Sequence, residues 1–503
     1  MADQPSSLPR AIYSADQVRE LDRLAIGERG IPSYTLMTRA AEAALRAFSA
    51  HWPAATKLLI FCGAGNNAGD GYVLARLAAA AGINVRVVAL VPPTQLRGDA
   101  VRACRDALAA GVVVEQFEAA ADQIQRFEPN VIADALLGIG LDRPLRGDFA
   151  QAVELLNAAN VPILALDVPS GLHADTGQPL GLAVHATVTV TFVGLKQGLF
   201  LGAAADYCGK LEFTDLGVPP DVGLALTPTL QRLTEVDLRS ALPRRARTAH
   251  KGAHGRLLLI GGGPGMSGAI RLAAEAALRA GAGLVYVATH PQSAQAVMSG
   301  SPEVICHSAN TAEDVASLLT LADAVVVGPG LGRSEWANAL WQKVLETNMP
   351  LIVDADALNL LALAPRPRGR WILTPHPGEA ARLLGRTSSD VQLDRLGSAR
   401  ELARRYEAVA ILKGAGSLIA SAGSELVQVC DRGNPGMATA GMGDVLAGVL
   451  GALVAQGNDL ARAAGAGVLL HAIAGDAAAA DGERGMIASD LLAQLRRCAN
   501  PTR

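Results

Sequence analysis

The stretch Asn434-Pro-Gly-Met-Ala-Thr-Ala-Gly-Met-Gly-Asp-Val-Leu-Ala-Gly448 sets Gly436, Gly441, Gly443 and Gly448 around one carboxylate, Asp444. A run of small apolar residues follows, from Val445 to Ala455, and reads as a helix. Gly441 and Gly443 then stand at its start, where amide N–H groups lack partners and the helix dipole is positive. Such a start binds anions, and glycine lets a phosphate reach the backbone. A carboxylate facing a phosphate is not placed there for stability. Its use is to take a proton from a hydroxyl as that hydroxyl attacks phosphorus. The loop alone serves equally well as a glycine-rich turn with Asp444 capping a helix. The rest of the chain has to decide between the two.

The first half holds a second set of reactive groups. Lys57-Leu-Leu-Ile-Phe-Cys62 reads as a buried strand running into Gly63-Ala-Gly-Asn-Asn-Ala-Gly-Asp-Gly71. A helix from Tyr72 to Ala81 and a strand from Val85 to Val91 follow, which makes a βαβ unit. The loop matches the dinucleotide fingerprint imperfectly, with two Asn and an Asp at its spacer positions. Downstream, Val131 to Gly140 reads as a strand ending in Asp134, and Pro162 to Gly171 as one ending in Asp167 and Ser170. Strand ends of a parallel sheet open onto one edge, so Asn67, Asp134 and Ser170 are expected to converge. They form a hard-oxygen set with one negative charge, suited to a monovalent cation rather than a transition metal.

The elements that must position these groups read as α/β throughout. Residues 14–50 give two helices, the first opened by a capping box of Ser14 and Gln17. Pro219-Pro220 and Thr227-Pro-Thr229 then break the pattern. The basic Arg244-Arg-Ala-Arg247 reads as a solvated linker; its functional alternative puts Lys251 and its neighbours near a phosphate entrance. A second series of strands begins at Arg256. Its strand ends carry Asp354 and Asp356, His376, and Lys413. Asp354 and Asp356 read as turn and cap residues more readily than as influences on a magnesium site. The expected domains are 1–225 and 226–503.

Composition bounds the function. The 503 residues are 50% hydrophobic but only 4% aromatic, with Ala and Gly in their place, which suits close packing of helices on sheets. A net charge of −3 points to no nucleic acid and no membrane surface. Six scattered cysteines, with no CxxC pair, fit reduced thiols and a cytoplasmic location. Residues 1–10 lack a signal-peptide apolar core, and no apolar run is read as reaching the length of a membrane span.

Gly65-Asn-Asn-Ala-Gly-Asp-Gly71, Asp134-Ala-Leu-Leu-Gly-Ile-Gly140 and Asp167-Val-Pro-Ser-Gly171 resemble the motifs of the NAD(P)HX epimerase family over about residues 12–220. The resemblance implies a Rossmann-like three-layer domain that interconverts the R and S hydrates of NADH and NADPH. It implies that Asn66, Asn67, Ala68, Gly69 and Asp70 hold the hydrated dinucleotide. Gly138, Ile139, Gly140, Leu141, Asp142, Arg143 and Pro144 would join them. It further implies potassium at Asn67, Asp134 and Ser170, with Asp167 contacting the hydrated ring as acid/base. Ala68 stands where that family usually has glycine.

His250-Lys-Gly252, Gly328-Pro-Gly-Leu-Gly332, Thr374-Pro-His-Pro-Gly-Glu379 and Lys413-Gly-Ala-Gly-Ser417 resemble the ADP/ATP-dependent NAD(P)HX dehydratase branch of the ribokinase-like superfamily, over about residues 230–500. The implied substrate residues are Ala269, Gly330, Gly332, His376 and Asp444. The implied nucleotide residues are Lys413, Gly414, Ala415, Gly416, Ser417 and Gly443, with magnesium on ADP or ATP and a lean toward ADP from the fused layout. Ser417 replaces a frequent Thr, and Ala440 a usual Gly. In the implied chemistry Asp444 deprotonates the C6 hydroxyl of the S hydrate, phosphorylation makes it a leaving group, and phosphate departs. The small-molecule partners would be NADHX, NADPHX and the nucleotide, handled by a homo-oligomer. Two alternatives remain at this stage: a vitamin-precursor kinase in the second half, and a non-catalytic binding module in the first.

Overall fold

A computed structural model describes residues 8–500; residues 1–7, within the stretch read for a leader, lie outside the described residues. The chain divides into two compact units, Met1–Leu230 and Gln231–Arg503.

In the first unit a short strand β1 (Ala11–Tyr13) precedes the capped helix Ala15–Gly27. The capping box forms as its sequence predicts: Ser14 Oγ accepts from Gln17 N at 3.2 Å and Ser14 N donates to Gln17 Oε1 at 3.1 Å. The main strands are β2 (Lys57–Cys62), β3 (Asn84–Ala89), β4 (Val113–Gln116), β5 (Val131–Ala135), β6 (Ile163–Leu166) and β7 (Val188–Phe192). After a two-residue β8 (Leu195–Lys196), β9 (Lys210–Thr214) completes the set. The sheet is parallel, in order β4-β3-β2-β5-β6-β7-β9. Its order reverses between β2 and β5, so the ligand crevice of a Rossmann-like fold lies outside those two strand ends. Alternate residues of β2 serve two cores. Leu58, Ile60 and Cys62 pack with the Ser33–His51 and Asn66–Ala80 helices, and Leu59 and Phe61 with the Asp148–Ala158 helix on the other face. That is the expected three-layer arrangement.

β10 (Leu230–Arg232) sits at the division. The second unit is built on β11 (Arg256–Gly261), β12 (Leu284–Thr289), β13 (Ile305–Ser308), β14 (Ala324–Val327), β15 (Leu351–Val353), β16 (Trp371–Leu373) and β17 (Val409–Leu412). These run parallel in order β13-β12-β11-β14-β15-β16-β17. Two antiparallel strands, β18 (Ser417–Ser421) and β19 (Val427–Cys430), extend the β17 edge. Here the order reverses between β11 and β14.

Three sequence expectations need correction. The helix after β2 starts at Asn66, not Tyr72, because Gly65 takes the cap position and the Asn-rich loop itself forms the first turn. Likewise the second glycine-rich stretch is helical from Met442, with Gly441 in the left-handed region as its cap, so Gly443 and Asp444 both lie inside the first turn. Finally, one helix is long and apolar enough to cross a membrane by length and composition, the segment Leu460–Asp481. About two-thirds of its most apolar window is buried, 67%, inside the second unit, where Ala463, Gly467 and Leu470 pack as core.

Small residues set the spacing of the Met442–Ala455 helix. A Cβ on Gly448 would fall far inside contact distance of the backbone oxygen of Ala273, on the neighbouring Ser267–Arg279 helix. Gly448→Ala is therefore expected to push these helices apart and cost about 1–3 kcal/mol in urea unfolding. Gly268→Ala on the facing helix, with nothing within 4 Å of the added carbon, is expected to be neutral or to stabilise by up to about 1 kcal/mol.

Candidate active sites

In the first unit, β5 carries Asp134 fully buried within the strand, one residue short of its end. Asp134 Oδ1 accepts from Ser170 Oγ at 2.6 Å and Leu136 N at 3.2 Å, and Oδ2 accepts from Ser170 N at 2.8 Å. Burial pushes this carboxyl up to about 6, and those donors pull against the rise. Asn67, in the first turn after β2, donates Nδ2–H to Leu137 O at 2.9 Å. Its Oδ1 is buried with no hydrogen-bond partner. Leu137 N in turn donates to Ser170 Oγ at 2.9 Å, so Asn67, Ser170 and Asp134 meet around one backbone turn. An orphaned amide oxygen beside a hydroxyl, a carbonyl and a carboxylate fits a monovalent cation.

Asp167 follows β6 with φ +68°, the left-handed region that costs a non-glycine residue about 1–2 kcal/mol. A hydrogen bond from Asp167 N to Val190 O at 2.8 Å holds it there. Strain of this kind gathers at functional positions. Oδ1 of Asp167 accepts from Lys196 Nζ, from Thr191 Oγ1 at 3.3 Å and from Phe192 N at 3.4 Å. Lys196, only 1% exposed, completes its donors on Thr191 Oγ1 at 3.0 Å and Phe192 O at 2.7 Å. The other carboxylate oxygen is left facing Gly138: a Cβ there would lie 3.5 Å from Asp167 Oδ2 and 3.6 Å from Asn67 Cβ.

This edge opens into a cavity of about 510 Å³ lined by Asn66, Asn67, Asp70, Gly138, Ile139, Asp167 and Lys196, among others. Gly140 and Leu141 reach its wall, whereas Asp142, Arg143 and Pro144 are not part of it. Ala68 is fully buried in the core, and Gly69 packs on Met37, so the structure brings neither to the cavity wall. The departure from glycine at Ala68 thus points away from the cavity. Sequence reasoning missed Lys196 and Asp22. The signal for Lys196 was present: a lysine in an otherwise β-rich apolar run.

In the second unit, Gly443 and Asp444 sit at the helix start beside the ends of β15 and β17. A Cβ on Gly443 would lie 3.3 Å from Lys413 Nζ and 3.6 Å from Asp354 Oδ2. Lys413 pairs with Asp354 Oδ1 at 2.9 Å and stands 3.8 Å from Glu379 Oε2. Burial opposes its charge, but Asp354 and Glu379 outweigh burial and raise it above the ordinary lysine range. Asp354 is no simple cap. Its side chain makes no capping bond; Oδ1 accepts from Thr374 Oγ1 at 2.7 Å and takes the Lys413 pair. Asp356 Oδ2 accepts from Gly332 N at 2.8 Å, fixing the Gly330–Gly332 turn. A Cβ on Gly330 would lie 3.1 Å from Ala269 Cβ, so that turn and Ala269 are neighbours. His376 caps the Pro377–Leu384 helix through Nδ1, which accepts from Gly378 N at 3.0 Å. Burial, then Lys413 and Arg382, lower its pKa.

Burial raises Asp444 to about 7; Asp354 and Asp356 push the same way and Lys413 opposes. A carboxyl tuned near neutrality at a helix start is suited to accept a proton. Among the described residues no group of three or more His, Cys, Asp or Glu could hold a metal. The Lys413–Ser417 loop is braced by a residue sequence reasoning missed. Buried Arg395 donates Nη2–H to Lys413 O and Gly416 O, both at 3.3 Å. Ser417 Oγ closes the turn on Gly414 O at 3.0 Å, while Gly414 and Ala415 are exposed. The stretch around Lys251 lies toward the end of the Met442–Ala455 helix away from Asp444, which favours the linker reading over a phosphate entrance. Arg245 and His254 line a cleft of about 1740 Å³ with Gln456 and Asn458, beyond the far end of the Met442–Ala455 helix from Asp444.

Comparison with known proteins agrees with this two-site layout. A family described as NAD(P)H-hydrate dehydratase matches residues 257–497, and one described as YjeF-related protein N-terminus matches residues 33–198. The chain is 48% identical to the bifunctional NAD(P)H-hydrate repair enzyme Nnr of Coxiella burnetii, over 97% of this chain and 99% of that one. It is 44% identical to the enzyme of that name in Escherichia coli, over 100% of this chain and 96% of that one. A ribokinase-like superfamily protein of Enterococcus faecalis has a similar structure, at TM-score 0.50 and 26% identity, over 55% of this chain and 96% of that one. Matches running the whole length to bifunctional enzymes favour neither a lone vitamin kinase nor an idle first half. The chain belongs to the family of bifunctional NAD(P)H-hydrate repair enzymes.

Proposed function

We propose that this protein restores hydrated nicotinamide cofactors, the first unit interconverting the R and S hydrates and the second dehydrating the S hydrate at the expense of ADP or ATP. The observation that carries the reading is Asp444: a carboxyl brought to about 7 on the phosphate-binding start of a helix. Hydroxide is a poor leaving group at neutral pH, and phosphorylation removes that obstacle. Asp444 takes the proton of the C6 hydroxyl as its oxygen attacks the terminal phosphorus. The nucleotide leaves with the P–O bonding pair. Electron density from the ring nitrogen then expels phosphate from C6, and loss of a C5 proton restores the dihydronicotinamide. Gly443 admits the phosphate to the helix start, Lys413 lies beside it, and Arg395 holds the Lys413–Ser417 loop against the adenine nucleotide. Magnesium offsets charge on the nucleotide phosphates when bound.

In the first unit Asp167 moves the proton of the same hydroxyl, with its free oxygen toward the cavity and the other held by Lys196. Asn67, Asp134 and Ser170 would hold potassium and so order the turn that faces the substrate. The two reactions complement one another, since a dehydratase that accepts only the S hydrate needs an epimerase to consume the R form.

The test incubates mixed R and S NADHX with protein, magnesium, potassium and either nucleotide, and follows NADH absorbance. Recovery from both epimers is expected, and the faster nucleotide identifies the donor. Asp444→Asn is expected to lose roughly 10²–10⁴-fold in nucleotide-dependent dehydration while still binding nucleotide. Asp167→Asn, or omission of potassium, is expected to leave recovery from the S form alone. Recovery of NADH from the R form by Asp167→Asn would refute its role.

The dehydration rate is expected to rise with pH through about 7, because Asp444 acts in its ionised form. Asp354→Asn removes a neighbouring negative charge and releases Lys413 toward Asp444, so both effects lower the Asp444 pKa. The acid limb of kcat against pH is expected to move down by about a unit; a limb that stays or moves up would contradict this electrostatic assignment.

A further inference from the structure

The cavity in the first unit holds more carboxylate than cation. Arg19 and Asp22 enter it from the Ala15–Gly27 helix, Asp70 from the Asn66–Ala80 helix, Asp99 from the Asp99–Ala109 helix, and Asp167 and Lys196 from the sheet edge. Arg19 is turned toward Asp16 and Ile139 O, and Asp99 accepts from Ser33. Lys196 spends its donors on Asp167, Thr191 and Phe192. Among the described residues the side chains of Asp22 and Asp70 make neither an ion pair nor a hydrogen bond. Three carboxyl groups therefore share one buried ammonium that is already committed to Asp167.

Like charges sharing a desolvated site do not all ionise. Asp167 is the one that takes the cation, its Oδ1 accepting from Lys196 Nζ, Thr191 Oγ1 and Phe192 N. Burial, opposed by Lys196 and reinforced by Asp167, brings Asp22 to about 6. Burial first, then Asp167 and Asp22, carry Asp70 well above the ordinary carboxyl range. Position agrees. Asp70 lies one turn beyond Asn67 on the same helix, and residues three apart share a face. Asn67 in turn stands across Gly138 from the free oxygen of Asp167.

We propose that Asp70 is the proton donor of the epimerisation, acting opposite Asp167 as base; this deepens, and rests on, the epimerase reading of this unit. In the hydrate C6 bears both a hydroxyl and the ring nitrogen N1, as in a hemiaminal. Asp167 removes the hydroxyl proton, C6=O forms, and the C6–N1 bond breaks with its electron pair going to N1. Asp70 delivers its proton to N1. Rotation about C5–C6 presents the other face of the carbonyl. N1 then adds to C6 while returning its proton to Asp70, and the oxygen takes back the proton from Asp167. Nothing is consumed, and the C6–O bond stays intact. Breaking that bond instead would give a C6=N1 iminium, which loss of a C5 proton would turn into the reduced cofactor in this unit without nucleotide.

The experiment follows interconversion of R and S NADHX by the full chain, with potassium and without nucleotide, across the neutral and alkaline range. The wild-type profile is expected to fall at high pH as Asp70 loses its proton. Asp70→Asn is expected to lose roughly 10²–10⁴-fold in kcat and to show no alkaline limb. Asp22→Asn, which removes a neighbouring negative charge, is expected to move that limb to lower pH. An amide NMR spectrum of Asp70→Asn that matches the wild type across the first unit confirms an intact fold. Independently, the carboxyl ¹³C resonance that disappears in Asp70→Asn should titrate well above the ordinary carboxyl range in the wild type. An unchanged alkaline limb in Asp70→Asn, a loss confined to KM, or an ordinary titration of that resonance would overturn the proposal while leaving the epimerase reading in place. A wild-type protein that does not interconvert the hydrates would overturn both.

Discussion

Each unit of this protein is organised around one lysine ammonium, fully buried in the first and largely buried in the second, that faces more carboxylate than it can neutralise. Lys196 meets Asp167 with Asp22 and Asp70 nearby; Lys413 meets Asp354 and Glu379 with Asp444 nearby. In water such groups would all be charged and indifferent to each other. In a desolvated strand edge they compete, and the competition separates their affinities for protons. One carboxylate keeps the cation and is held still. Its neighbours are pushed above the ordinary carboxyl range, Asp22 to about 6 and Asp444 to about 7, where a proton can be taken or given at little cost.

That arrangement depends on close approach, and the composition supplies it. Alanine and glycine stand where aromatics would otherwise fill space. Gly448 lets the Met442–Ala455 helix lie against the Ser267–Arg279 helix, and Gly451 lets it approach β14. The helix start is thereby brought down to the Lys413–Asp354 pair. Gly138 plays the corresponding part in the first unit, keeping the space between Asp167 Oδ2 and Asn67 open. The strained φ of Asp167 is the local cost of aiming one carboxylate oxygen at the lysine and the other at the cavity.

Both sheets reverse strand order at an inner pair, β2 with β5 and β11 with β14, and the reactive groups of each unit gather at strand ends on that side. The shared topology explains why one chain can host two chemistries on similar scaffolds. What differs is the group at the helix start: Asn66 and Asn67, with an orphaned amide oxygen, in the first unit, and Gly443 with Asp444 in the second.

Much of this was legible in the sequence. Strand–glycine–helix order fixes two parallel α/β units, because apolar runs bounded by glycine turns have few other ways to bury themselves. The same order places Asn67, Asp134 and Ser170 at one edge, and Asp444 at a helix start. The sequence does not contain the pairings that cross it. Asp354 looks like a cap until Lys413, 59 residues away, is folded onto it. Lys196 looks like a lone polar residue until it meets Asp167, and Arg395 like a surface arginine until it braces the Lys413–Ser417 loop. Residue type and local spacing determine which groups can react. Which of them holds a proton depends on burial and on charges distant along the chain, and only the tertiary structure decides those.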